Sequence, residues 1–199
     1  EQNLVKTLAD APNAISLLQF NAFNRLPLCD VDGSQKPDSE DAHIWLDPEN
    51  AKAIVRALSV VHGHANPEHK AKYAQNAADF ERRMDKAVQS VQVNGMTPYW
   101  AYHDAFQYIE QAAGLKFAGA LTPDHHLNPK ASQFKRLNQT RPQPFMCLAS
   151  QGVVSDGIKN KLGNVNVTII QEDMSGMGED FISAWVAQVN ALQTCAGIK

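Results

Sequence analysis

The chain has 199 residues, 44% of them hydrophobic, with a net charge of −3, a pI near 6.2 and a mean hydropathy of −0.35. That is enough chain for a substantial core, and no apolar run reaches the roughly 18–20 residues that cross a bilayer as a helix. The mild acidity and the absence of any Lys/Arg run argue against a nucleic acid or anionic lipid partner.

The first segment, "EQNLVKTLAD", has neither a starting Met nor a charged-then-apolar leader, so a mature or truncated product is expected. Residues 1–28 read as a short helix carrying Leu4 and Leu8, then a strand over 14–18. The stretch 29–41, "CDVDGSQKPDSED", is acidic and rich in turn residues and reads as a surface loop. Asp47 then offers an N-cap, Pro48 suits the first helical position and Glu49 suits the positive end of the dipole. Ile54, Leu58 and Val61 follow on one helical face. "HGHANPEH" interrupts near 63–67, after which Tyr73, Ala77, Phe80, Met84 and Val88 form a second stripe. Residues 48–91 are therefore expected to be helical with one break.

Beyond "NGMTP" the pattern turns to βα alternation. Strands are expected over 99–102, 116–119, 144–149 and 165–170. Helices are expected over 104–113 (ended by Gly114), 129–138 (started by Asn128-Pro129), 155–162 (capped by Ser155) and 179–194. Strands separated by helices of this length predict a parallel α/β sheet of four strands. The expected division is 1–47, 48–94 as a helical linker, and 95–199 as an α/β lobe. A single strand ahead of residue 48 cannot make a sheet of its own.

Seven histidines dominate the chemical inventory. His62, His64 and His69 sit at the helix break, and His125 and His126 sit in a loop; all five read as solvated. His103, in "YWAYHDAF", lies at the carboxyl end of a strand, where open α/β sheets bind ligands. Asp104 beside it can cap a helix, orient an imidazole or relay a proton. Asp173, in "IIQEDMSGMGED", follows the last strand and shares that edge. His43, in "DAHIWLDP", lies just ahead of the capped helix. No G-x-S-x-G elbow, P-loop or G-x-G-x-x-G motif is present. Cys29, Cys147 and Cys195 form no CxxC. They are compatible with one disulfide plus a free thiol or with three reduced thiols, and spacing alone favours the reduced form.

The motifs "HIWLDPENAKAIVRAL" (43–58) and "YHDAFQYIEQAAGL" (102–115), at this separation, resemble the periplasmic solute-binding proteins of zinc-uptake ABC transporters, the ZnuA type within the cluster A-I metal-binding family. The resemblance runs over essentially the whole chain. It implies a C-terminal α/β lobe, a long linker helix after Pro48 and the remnant of an N-terminal α/β lobe. It places metal-binding histidines on His43 and His103 and an acidic ligand on Asp173, where this chain has "EDMSG" in place of the common "LDPLG". It implies a disulfide between Cys147 and Cys195, leaving Cys29 free, which an oxidising periplasm permits. The family's first ligand histidine has no counterpart here, so weaker zinc binding than in an intact relative is expected.

The function so implied is non-enzymatic: a monomer that captures Zn²⁺ in the periplasm and delivers it to a membrane permease. Histidine at position 103 favours zinc over manganese, which suits carboxylate-rich sites. The alternatives are a manganese-type lipoprotein or adhesin of the same family and, in another class, a metal-assisted hydrolase using His103 and Asp104.

Overall fold

The computed structural model describes residues 11, 14, 16, 17, 20–123 and 127–198. The helix expected around Leu4 and Leu8, and His125 and His126, lie outside them. Of the strand expected over 14–18, only Ala14, Ser16 and Leu17 are described, and none of these is in a strand.

Helix α1 (Pro48–Ala65) begins where its sequence says it should. The Asp47 carboxylate accepts from the backbone N–H of Glu49 at 2.7 Å and of Asn50 at 3.4 Å, and Pro48 and Glu49 complete the first turn. Asn66, at φ −133 and ψ 78, leaves the helix ahead of Pro67. Helix α2 (Lys70–Val91) then runs back along α1. Lys52 pairs with Asp85 at 2.7 Å and Arg56 with Glu81 at 3.0 Å, the pattern of antiparallel neighbours. A Cβ on Gly63 would come within 3.1 Å of the Lys70 side chain, so a small residue lets the hairpin close. The helical stretch 48–91 is thus two helices folded together.

The two stripes behave differently. On α2, Ala77, Met84, Ala87 and Val91 are buried, and Phe80 meets Phe181 of the last helix at 5.8 Å between ring centroids. On α1, Leu58 and Val61 are half exposed, and the buried positions are Asn50, Ala51, Lys52 and Gly63. The periodicity of α1 is present, but only Ile54, near its start, packs against the core, and the stripe runs out into solvent beyond it.

The sheet comprises β1 (Thr97–Ala101), β2 (Leu115–Ala120), β3 (Met146–Ser150) and β4 (Val165–Ile169), all parallel, in the order β2-β1-β3-β4. Between β1 and β2 the chain makes a 3₁₀ turn (Gln107–Ile109) and the short helix α3 (Glu110–Ala113), where a full helix over 104–113 was expected. Gly114 ends it at φ +66, and a Cβ there would run into Val93. Helix α4 (Ala131–Gln139) starts two residues later than predicted and without a side-chain cap. Helix α5 (Asp156–Leu162) takes the expected cap, the Ser155 hydroxyl accepting from Ile158 N–H. Helix α6 (Phe181–Ala196) is held by a reciprocal Asp180–Ser183 capping box and closed by Gly197.

Strand alternation splits the core in two. Tyr99, Ala101, Cys147 and Ala149 share a buried cluster with Met84 of α2 and Trp185, Val189 and Leu192 of α6. Trp100, Met146 and Leu148 share the other with Phe134 and Leu137 of α4 and Leu162 of α5. The Cys147–Cys195 disulfide joins β3 to the end of α6, and Cys29 is free. With helices on both faces, the accessible rim is the carboxyl edge. The chain changes direction there between β1, which leads to β2 on one side, and β3 on the other.

Candidate metal centre

Three separate parts of the chain converge at this edge. His43 precedes a 3₁₀ turn (Ile44–Leu46) whose Ile44 and Leu46 are buried. Trp185 Nε1–H of α6 donates to the Leu46 carbonyl at 2.9 Å, which pins the turn to the sheet layer. Between them, Trp45 Nε1–H donates to the Glu172 carbonyl at 3.2 Å, tying this turn to the loop that follows β4. Its ring lies edge-on to the His43 imidazole, with centroids 5.5 Å apart.

His103 enters from the other side, two residues beyond β1 and almost fully buried. The rings of His43 and His103 stand 6.5 Å apart. Between them reaches the Glu172 carboxylate, one oxygen 3.9 Å from His43 Nε2 and the other 3.5 Å from His103 Nε2. One donor atom from each of the three residues lies within 4.8 Å of the others.

Asp173, expected as the acidic donor, is outside this cluster, and Glu172 stands in its place. The Asp173 carboxylate accepts from the Ser175 N–H at 2.9 Å and hydroxyl at 2.8 Å, an Asx-type turn that consumes it on the exposed surface and holds its pKa down. The signal was available in "EDMS": an Asp two residues before a Ser is a turn former, which leaves the preceding acid for the site.

Asp41 is a second residue the sequence did not single out. It is fully buried, and its Oδ1 accepts from His43 Nδ1–H at 2.5 Å and from the His43 backbone N–H at 3.0 Å. Burial alone would push the His43 ring toward its neutral form. The hydrogen bonds and charges of Asp41 and Glu172 overcome it and raise the pKa to about 10. The Asp104 carboxylate is buried close to Cys29, Asp41 and His43. Burial first, and then the charge of Asp41, raise its pKa to about 7.

Two imidazole nitrogens and a carboxylate oxygen form a donor set of the kind that zinc sites use, with ligands at about 2.0–2.2 Å and so roughly 3.3 Å from one another. The separations to Glu172, 3.5 and 3.9 Å, are close to that spacing, and the full set, within 4.8 Å, must draw in around an ion. A parallel α/β sheet bearing this set at its carboxyl edge defines a candidate metal-binding protein of the α/β class.

Comparison with known proteins narrows the class. The family model described as zinc-uptake complex component A, periplasmic (ZnuA), matches residues 1–195, and the chain belongs to that family. The high-affinity zinc uptake system protein ZnuA of Brucella abortus is 31% identical over 102 residues, covering 49% of this chain and 30% of that relative. The protein of the same description from Haemophilus ducreyi is 31% identical over 104 residues, covering 50% and 34%. The matched stretch thus spans about a third of these relatives' length. Among solved structures, a Zn(II)-bound AdcAII variant of Streptococcus pneumoniae superposes with a TM-score of 0.69 at 18% identity, over 94% of this chain and 76% of that one. The fold is shared at that distance.

Proposed function

We propose that this protein is the zinc-capturing, non-enzymatic component of an ABC importer, binding Zn²⁺ in the periplasm and delivering it to a membrane permease. His43, His103 and Glu172 hold the ion, with the fourth position open to water or another donor. The observation that carries this reading is the convergence of those three side chains at the sheet edge in a chain of the ZnuA family. Two imidazoles favour zinc over manganese. Asp104, which the hydrolase reading relies on, is not one of the three clustered donors.

Calorimetric titration with Zn²⁺ tests it. His43→Ala, His103→Ala and Glu172→Gln each lower affinity at least tenfold, while Asp173→Ala leaves it unchanged. Unaltered zinc binding in both histidine variants overturns the assignment.

A further inference from the structure

The segment that follows β1 contributes to the cluster twice, once directly and once through an intermediary. His103 is a donor itself. Four residues on, the Gln107 side-chain amide donates to Asp41 Oδ2 at 3.2 Å, and five residues on, the Tyr108 hydroxyl donates to the Asp41 carbonyl at 3.1 Å while accepting from Leu26 N–H at 2.8 Å. Asp41 Oδ1 in turn holds His43 Nδ1–H.

The orientation of the Gln107 amide is itself determined. Its NH₂ also donates to the Pro27 carbonyl at 3.2 Å, and its oxygen accepts from the Cys29 thiol at 3.3 Å. Donation therefore converges on Asp41 from two sides, from the Gln107 amide onto Oδ2 and from the His43 ring onto Oδ1, because a carboxylate can only accept.

We propose that Asp41 is a positioning residue for metal capture. It holds His43 with Nδ1 protonated and Nε2 presented to Glu172 and the ion, and Gln107 holds Asp41 in that pose. This rests on the zinc-binding reading above and adds how the site is preorganised. An imidazole has two nitrogens and rotates freely about its side-chain bonds, so an unsupported ring spends part of its time with the wrong nitrogen forward. A buried carboxylate on Nδ1 removes those states before the ion arrives, and losing such a partner commonly lowers metal affinity 10–100-fold. The two halves of the site are also linked: the turn at 107–108, fixed by the same strand end that carries His103, sets the position of the opposite ligand.

The test is a double-mutant cycle on zinc affinity, joined to a tautomer readout. Asp41→Asn is close in shape but supplies one acceptor where both carboxylate oxygens accept, so its NH₂ must face either His43 Nδ1–H or the Gln107 amide. The expected loss is 10–100-fold, and it vanishes when His43 is already Ala, because Asp41 acts only through that ring. Long-range ¹H–¹⁵N spectra of the zinc-loaded protein show Nδ1–H on His43 in the wild type and a mixed population in the variant. Gln107→Leu, which leaves Asp41 in place, gives a smaller loss with the same dependence on His43, and serves if Asp41→Asn fails to fold. If His43→Ala weakens binding while Asp41→Asn and Gln107→Leu change neither affinity nor tautomer, the positioning role is wrong and the zinc reading stands. A loss of equal size in the His43→Ala background also overturns it, since that marks a general structural effect. Failure of His43→Ala to weaken binding removes the positioning role, and the zinc reading falls with it only if His103→Ala is silent too.

Discussion

Reducing the Cys147–Cys195 disulfide removes one covalent constraint and leaves every side chain in place. The bond closes a loop between residues 48 apart in sequence. In the chain-entropy account, such a loop removes about 14 cal/mol/K from the unfolded state, or about 4 kcal/mol at 25 °C. A domain of this size is stable by only ~5–15 kcal/mol, so the loss is a large fraction of the total and corresponds to roughly 8–16 °C in Tm. Urea unfolding followed by circular dichroism, with and without reductant, measures it. Thiol titration in denaturant should give one free thiol (Cys29) in the oxidised protein and three in the reduced form. The reduced form should unfold at markedly lower urea and with a steeper dependence, because its unfolded state is more expanded. Coincident midpoints with three thiols titrated would refute the argument. Because both sulfurs are buried, the C147A/C195A double variant should lose somewhat more than reduction does, through lost packing.

Two further outcomes follow from the same structure. Glu110 is partly buried, with the Tyr99 hydroxyl donating to it at 2.9 Å; desolvation is the main cause that raises its pKa, to about 8, and the charge of Asp104 adds to it. The folded state then holds a proton that the unfolded state has lost between about pH 4.5 and 8, so this group's contribution makes stability fall as pH rises through that window. Glu110→Gln should flatten that part of the pH–stability curve and raise Tm at pH 8, and identical wild-type and variant curves would show the carboxyl to be unperturbed. Asp47→Ala should cost about 1–2 kcal/mol in unfolding free energy, because the carboxylate caps α1 and also accepts from Asn24 Nδ2–H at 2.9 Å; a loss below the resolution of a urea melt would mean water replaces it.

Much of the architecture was legible because its signals are local. Asp47-Pro48-Glu49 started a helix and Ser155 capped one, as their side chains and dihedrals require. The βα alternation after residue 95 resolved into four parallel strands. Where the reading departed from the structure, a distant partner decided. The 104–113 segment was expected to be helical, yet Gln107 and Tyr108 are drawn into contacts with Asp41 and Leu26, and only a 3₁₀ turn and one helical turn form. The stripe of α1 was correctly periodic but is half exposed, because periodicity marks an apolar face and not what covers it.

The sequence by itself determined which residue types stand at the sheet edge: a histidine after the first strand, another ahead of a capped helix, and acids after the last strand. It could do so because strand ends, caps and turns are written in spans of a few residues. Only the tertiary structure decided that His43 and His103 meet, that Glu172 and not Asp173 reaches between them, and that Asp41 stands behind His43. Glu172 and Asp173 stand side by side in a turn beyond β4, and Asp173 is taken up by Ser175. Which of the two faces the site depends on packing between segments as far apart as 41 and 172, an interaction that no short stretch of sequence contains.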